Sequence, residues 1–256
     1  MTDGRYIYCV MDQPLSSKTN SVKQEKEMYR FGNIGIGNRP VYTVNYKDMA
    51  AAVSSVPFKE ITSTLDDVIA HQRVVEAARA MATVLPVRFG VIVKTDQGVK
   101  TLLAASYADF RSKLTKFAGM DEMGVKVLLD KSKAEKMVSL AESDSDEIKQ
   151  LREQISSSSA GASHFLKMKL QDAIRNETMR KIDQVAGKIN QELAPAASDS
   201  CILKNDIEQI ILNAAYLVDR SKVSNFNSKL SRLREEYEPK GFTIHVSGPW
   251  APYSFC

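Results

Sequence analysis

Two hydrophobic periods alternate along the chain. Residues 5–11 (RYIYCVM) are rich in Tyr, Ile and Val and stop at Asp12-Gln13-Pro14, which predicts a strand. Residues 15–29 are Ser, Lys, Glu and Asn with almost no apolar period, and read as a long loop or insertion. Beyond Pro40, residues 41–44 and 49–56 give two short β-type runs, joined by a tight connection over 45–48 and closed by Pro57. The period then changes. Val68, His71, Val75, Ala78 and Ala82 recur every three or four residues, predicting an amphipathic helix over 66–82 with Asp66 and Asp67 near its positive end. Residues 85–93 (LPVRFGVIV) are almost continuously apolar and predict one buried strand. Residues 97–117 read as a single helix, with Val99, Leu102, Leu103, Phe110, Leu114 and Phe117 inward and Gly119 at its end.

A second alternation begins at residue 122. Residues 122–130 (EMGVKVLLD) predict a strand, followed by helical stretches over 131–154 and 162–194 that Ser156, Ser157, Ser158, Ser159 and Gly161 separate. In the second stretch Leu166, Leu170, Ile174, Ile182, Val185, Ile189 and Leu193 trace a stripe, which Pro195 terminates. Strand character returns at 201–203 and 207–219, a helix occupies 222–238, and a strand over 242–246 follows Lys240-Gly241. The order is βαββαβ, the ferredoxin-like arrangement of two helices over one face of an antiparallel sheet, with 131–154 inserted. The expected class is α+β with two domains. Residues 1–120 form an N-terminal α/β sheet domain, and residues 121–256 a ferredoxin-like domain ending in an aromatic and proline-rich tail.

Composition narrows the function classes. A chain of 256 residues that is 43% hydrophobic and 26% charged builds its own core without metal or disulfide staples. The net charge of +4 is spread among interspersed acidic and basic residues, and the tightest basic cluster (Lys167, Lys169, Arg175, Arg180) is broken by Asp172 and Glu177. That argues against a nucleic-acid partner. Cys9, Cys201 and Cys256 show no short spacing, so neither a disulfide framework nor a zinc site is expected. No apolar stretch is long enough to span a lipid membrane and none reads as a leader, which makes the chain a reduced, cytoplasmic one.

Candidate chemistry is sparse. Gly32, Gly35 and Gly37 in FGNIGIGNRP have the wrong spacing for a dinucleotide loop and no helix pattern follows them, so a turn between strands is the expectation. His71, His164 and His245 fall in three different elements, and His71 lies on the apolar stripe of its helix, where a hydrogen-bonded packing role is the default. No GxSxG elbow exists, and no catalytic, cofactor or metal residue is assigned. Arg88, alone inside an apolar run, either pairs internally or anchors a partner's carboxylate. The tail gathers Pro249, Trp250, Pro252, Tyr253 and Phe255 behind Ser247-Gly248. Its prolines forbid a continuing strand or helix and hold three large rings on a pre-organised segment. Such a tail either seals its own body at the domain junction or docks on another protein.

These segments resemble the gas vesicle proteins of the GvpF/GvpL family. The resemblance is carried by RYIYCV at residues 5–10, AAAVSSV at 50–56, LPVRFG at 85–90, EMGVKV at 122–127, NAAYLVDR at 213–220 and HVSGPWAPYSF at 245–255, in the family's order. Where the family usually reads SGPWPPYSF, Ala251 stands in place of a proline. The resemblance implies an α/β N-terminal domain, a modified ferredoxin-like C-terminal domain and no enzymatic activity or cofactor. It implies an assembly role: a minor shell-associated component binds the hydrophobic major shell protein (GvpA type), alongside other accessory proteins, and passes from the cytoplasm to the gas vesicle. The alternative is a structural component retained on the gas-facing side of the wall. The family-motif residues expected at the partner surface are Leu85, Pro86, Arg88, Phe89, Gly90, Ser247, Gly248, Pro249, Trp250, Pro252, Tyr253 and Phe255.

Overall fold

The computed structural model describes residues 3–13, 30–59, 63–130, 145–207 and 209–256. The polar stretch 15–29 and most of the inserted helical stretch 131–154 lie outside the described residues. Contacts divide the chain into two compact units: Met1–Glu122 together with Pro249–Cys256, and Met123–Gly248. The last eight residues, expected with the second domain, thus group with the first.

The first unit is built on a sheet of strands β1 (Asp3–Asp12), β2 (Arg30–Gly32), β3 (Val41–Tyr46), β4 (Met49–Pro57), β5 (Val84–Pro86) and β6 (Ile92–Val93). Their order is β2-β3-β4-β1-β5, with β6 also on β1. β1 is central and antiparallel to both neighbours, with Val10 opposite Ala51 and Leu85. Its six residues from Tyr6 to Met11 are fully buried, which explains their unbroken apolar character. Helices α1 (Leu65–Arg79), α2 (Asp96–Ala105) and α3 (Tyr107–Lys116) complete the unit. Thr64 starts α1 by accepting the Asp67 N–H on its hydroxyl (3.2 Å). α1 buries Ala70, His71, Val74, Val75 and Ala78, while Val68 is 42% exposed, so the buried face is rotated from the expected stripe.

Two expectations for this unit need correction. Residues 85–93 form two short strands instead of one. Both β5 and β6 lie along β1, but the chain between them leaves the ladder and turns at Gly90, whose φ of 92° is left-handed. The helix expected over 97–117 is likewise two, parted at Ser106.

The second unit carries β7 (Met120–Leu129) from Met123 onward, β8 (Asp199–Ile202), β9 (Ile210–Asp219) and β10 (Phe242–Trp250) as far as Gly248, with helices α4 (Asp146–Ser157), α5 (Ala160–Leu193) and α6 (Val223–Tyr237). The sheet order β10-β7-β9-β8 is the fourth-first-third-second order of a ferredoxin-like sheet. α5 and α6 place Ile182, Ile189, Leu193, Phe226, Leu230 and Leu233 on one core with Val125, Val127, Tyr216 and Phe242. β10 runs through Pro249 instead of ending before it. As a sheet-edge strand it tolerates a residue with no N–H to give. None of the described helices is long and apolar enough to cross a membrane.

The glycine segment is a fixed turn. The Tyr8 hydroxyl accepts the Ile36 N–H at 2.9 Å and bonds Ser54 Oγ at 2.7 Å, and Gly35 N–H donates to the Arg39 carbonyl at 3.0 Å. A Cβ on Gly35 would sit 2.6 Å from Tyr8 Oη and 2.9 Å from the Arg39 carbonyl oxygen. Gly35 therefore serves by its small size, its φ of −74° being ordinary. Gly35→Ala is expected to lower stability by about 1–3 kcal/mol, read as an earlier midpoint in urea.

Candidate functional site

The first unit brings the LPVRFG segment and the C-terminal tail to one place. Val68, His71 and Gln72 of α1, Val87, Arg88 and Phe89 of the β5–β6 turn, and Tyr253 of the tail line a largely apolar pocket of about 370 Å³. The turn is held from β1. The Val87 N–H donates to the Tyr8 carbonyl (2.9 Å), and the Ile7 N–H to the Val91 carbonyl (3.0 Å). The Gly90 N–H donates to Tyr6 Oη at 3.2 Å. The same hydroxyl lies 2.8 Å from His71 Nδ1, a buried hydrogen bond in which either group can be the donor.

His71 is a packing histidine. It is 4% exposed, and its ring lies 5.7, 5.6 and 5.8 Å from those of Tyr6, Tyr8 and Phe89. Burial pushes its pKa down to about 4, with the nearby Val87 carbonyl opposing, so it is neutral at pH 7. Nδ1 is taken by Tyr6, and Nε2 is buried without a hydrogen-bond partner. Neither nitrogen meets solvent, which a general base must do to reach a substrate.

Arg88 is exposed and makes no hydrogen bond or ion pair among the described residues. Among the described residues it has no internal partner. A lone guanidinium at the mouth of an apolar pocket is suited to a carboxylate from outside. Leu85 and Pro86 are buried in β5, whereas Gly90 is an exposed turn residue.

The tail is clasped from within its own unit. Glu122, 7% exposed, accepts the Ser254 N–H on one oxygen and the Ser254 hydroxyl on the other, both at 2.7 Å. Ala251 is fully buried in the core of the first unit, and Pro252 is buried as well. Arg79 donates to Glu76 (2.8 Å), to Asp121 (2.7 Å) and to the Pro249 carbonyl (3.3 Å). Trp250 and Phe255 are half-buried, Tyr253 is 40% exposed, and Ser247, Gly248 and Pro249 are exposed. Arg79, Asp121 and Glu122 escaped the sequence reading. The acidic pair opening a strand was the available signal.

A second cavity of about 460 Å³ joins Gly35, Gly37 and Asn38 to Thr64, Asp66, Asp67 and Arg73 at the start of α1. A glycine turn beside a helix N-terminus has the outline of a phosphate cradle, but the two carboxylates that face it repel an anion. His164 and His245 are exposed on α5 and β10. No group of His, Cys, Asp and Glu among the described residues is arranged to hold a metal ion.

Comparison with known proteins bears on this geometry. Residues 4–256 match the family described as gas vesicle synthesis protein GvpL/GvpF. The chain is 27% identical over 272 residues to gas vesicle protein L1 of Halobacterium salinarum, covering 100% of this chain and 91% of that one. It is 26% identical over 260 residues to gas vesicle protein F of Haloferax mediterranei, covering 100% and 94%. In fold it is similar to the crystal structure of the gas vesicle protein GvpF from an Anabaena species, with a TM-score of 0.80 at 24% identity over 99% of this chain and 98% of that one. A second similar structure is the gas vesicle protein GvpF from Microcystis aeruginosa, with a TM-score of 0.74 at 19% identity and 98% coverage of both chains.

Proposed function

The chain belongs to the gas vesicle synthesis protein GvpL/GvpF family, and on that premise we propose that it is an assembly factor that binds the apolar major shell subunit (GvpA type) before its addition to the wall. A subunit whose surface must repel water is an aggregation hazard while free, because its apolar faces and strand edges are open to other copies. A partner that covers such a surface reversibly delays aggregation without any bond being made or broken.

The observation that carries this reading is an uncovered apolar surface on the first unit. Leu65 (76% exposed), Val68 (42%) and Ile69 (43%) open α1, and Val68 also walls the pocket whose mouth holds the unpaired Arg88. Apolar contact supplies the affinity and Arg88 the orientation, through a carboxylate on the shell subunit. Phe89 and Tyr253 line the same contact. Leu85, Pro86, Gly90, Trp250, Pro252 and Phe255 hold the turn and the tail that present them.

Co-expression tests this. The soluble fraction of the shell subunit is expected to rise several-fold with the intact chain, and to fall back when Leu65→Asp and Ile69→Asp are introduced together. Equal solubility of the shell subunit with and without the chain refutes the proposal.

A further inference from the structure

Helix α5 spans 34 residues, and only its second half lies on the sheet. Positions 165, 168, 172, 175 and 179 alternate three and four apart, and 182, 186, 189 and 193 continue the series. In the second half this stripe is core: Ile182, Ile189 and Leu193 are buried, and Ala186 packs against them. In the first half it is uncovered, with Phe165 60% exposed and Met168 and Met179 each 53% exposed. Helix α4 packs along α5. Yet the α5 positions that lose exposure there, Leu166, Leu170 and Ala173, lie on the far side from the stripe. Between the two methionines stand Asp172 and Arg175, both exposed, with no hydrogen bond or ion pair among the described residues.

We propose that residues 165–179 of α5 form a self-association surface on which two copies of the chain pair antiparallel. The stripe is its own complement. A two-fold axis crossing the helix between Ala173 and Ile174 sets Asp172 against Arg175 of the second copy, twice by symmetry. The same axis sets Met168 against Met179 of the second copy and brings Phe165 to the end of the stripe, beside the position of Ile182. A parallel, in-register pairing would set Asp172 on Asp172 and Arg175 on Arg175, so the charges select the antiparallel arrangement. Antiparallel helix dipoles favour the same choice. The charged pair at the centre of an apolar stripe therefore fixes register and partner, while Met168, Met179 and Phe165 provide buried area.

Sedimentation equilibrium of the full chain, from roughly 1 µM to roughly 1 mM, tests the pairing. The mass is expected to double with concentration. Asp172→Arg and Arg175→Asp should each loosen the dimer by at least about tenfold, since each sets two like-charge contacts in place. The double reversal should restore it. A chain that stays monomeric throughout, or one that associates equally well with either single reversal, overturns the proposal. Cross-linking gives a second readout. With Met168→Cys and Met179→Cys together, an oxidant is expected to trap a covalent dimer in excess of the unsubstituted chain. Met168→Cys alone should not be trapped, because its two copies lie about 16 Å apart along the helix axis. Equal trapping of single and double variants overturns the register.

Discussion

Arg79→Ala is expected to destabilise the first unit by about 3 kcal/mol, among the larger effects available to a single substitution. Arg79 is the cation shared by two carboxylates, Glu76 at 2.8 Å and Asp121 at 2.7 Å, and the Asp121 side chain is only 7% exposed. Removing the guanidinium takes the shared cation from two partly desolvated carboxylates, which costs far more than the net worth of an exposed pair. The loss extends to the tail, because Arg79 also holds the Pro249 carbonyl. Urea unfolding followed by the fluorescence of Trp250, the chain's only tryptophan, is the readout. Arg79→Lys should recover part of the loss, since it keeps the charge but not the fork that reaches three acceptors. Adding Asp121→Asn to Arg79→Ala should also recover part of it, by removing one of the two charges that shared the guanidinium. A change below about 1 kcal/mol for Arg79→Ala would show that the cluster is solvated like a surface pair.

The sequence disclosed elements wherever one period ran unbroken between clear stops, and misled where composition and path diverge. β1 was legible because its residues are apolar on both faces, as a central strand requires. The split βαββαβ order was legible because each strand of the second unit is flanked by turn residues. Residues 85–93 misled because an apolar run records burial, not direction. Val87 and Phe89 are half-buried in a turn that leaves the ladder, and Arg88 and Gly90 are exposed there. Ser106, which parts α2 from α3, carries no Gly or Pro to announce a break. At the candidate site, Arg88 and the tail stood out as unusual residues, but their meeting around one pocket is tertiary. The clasp on the tail was invisible for a similar reason: Glu122 and Ser254 are 132 positions apart and neither belongs to a local motif.

The second large effect is a dependence of stability on pH that originates in His71. Its pKa of about 4 in the folded chain stands against an ordinary value of 6.5, because a buried imidazole resists taking charge. Between these values the unfolded chain binds the proton and the folded chain does not. Protonation therefore favours unfolding, and stability rises with pH across the window and levels off above it. The full difference corresponds to about 3 kcal/mol below pH 4, of which about 2 kcal/mol is already lost at pH 5. Carboxylates begin to titrate in the same range, so the quantity to measure is the difference between the chain and His71→Gln, not either slope alone. Gln offers the Tyr6 hydroxyl either a donor or an acceptor and has no proton to gain. Urea midpoints followed through Trp250 at pH 7.5, 6 and 5 should converge for the two proteins as the pH falls, with the His71 chain losing the more. Parallel curves over that range would mean that His71 titrates as an ordinary solvated histidine, and that the Tyr6–His71–Gly90 arrangement behind the pocket is open to water.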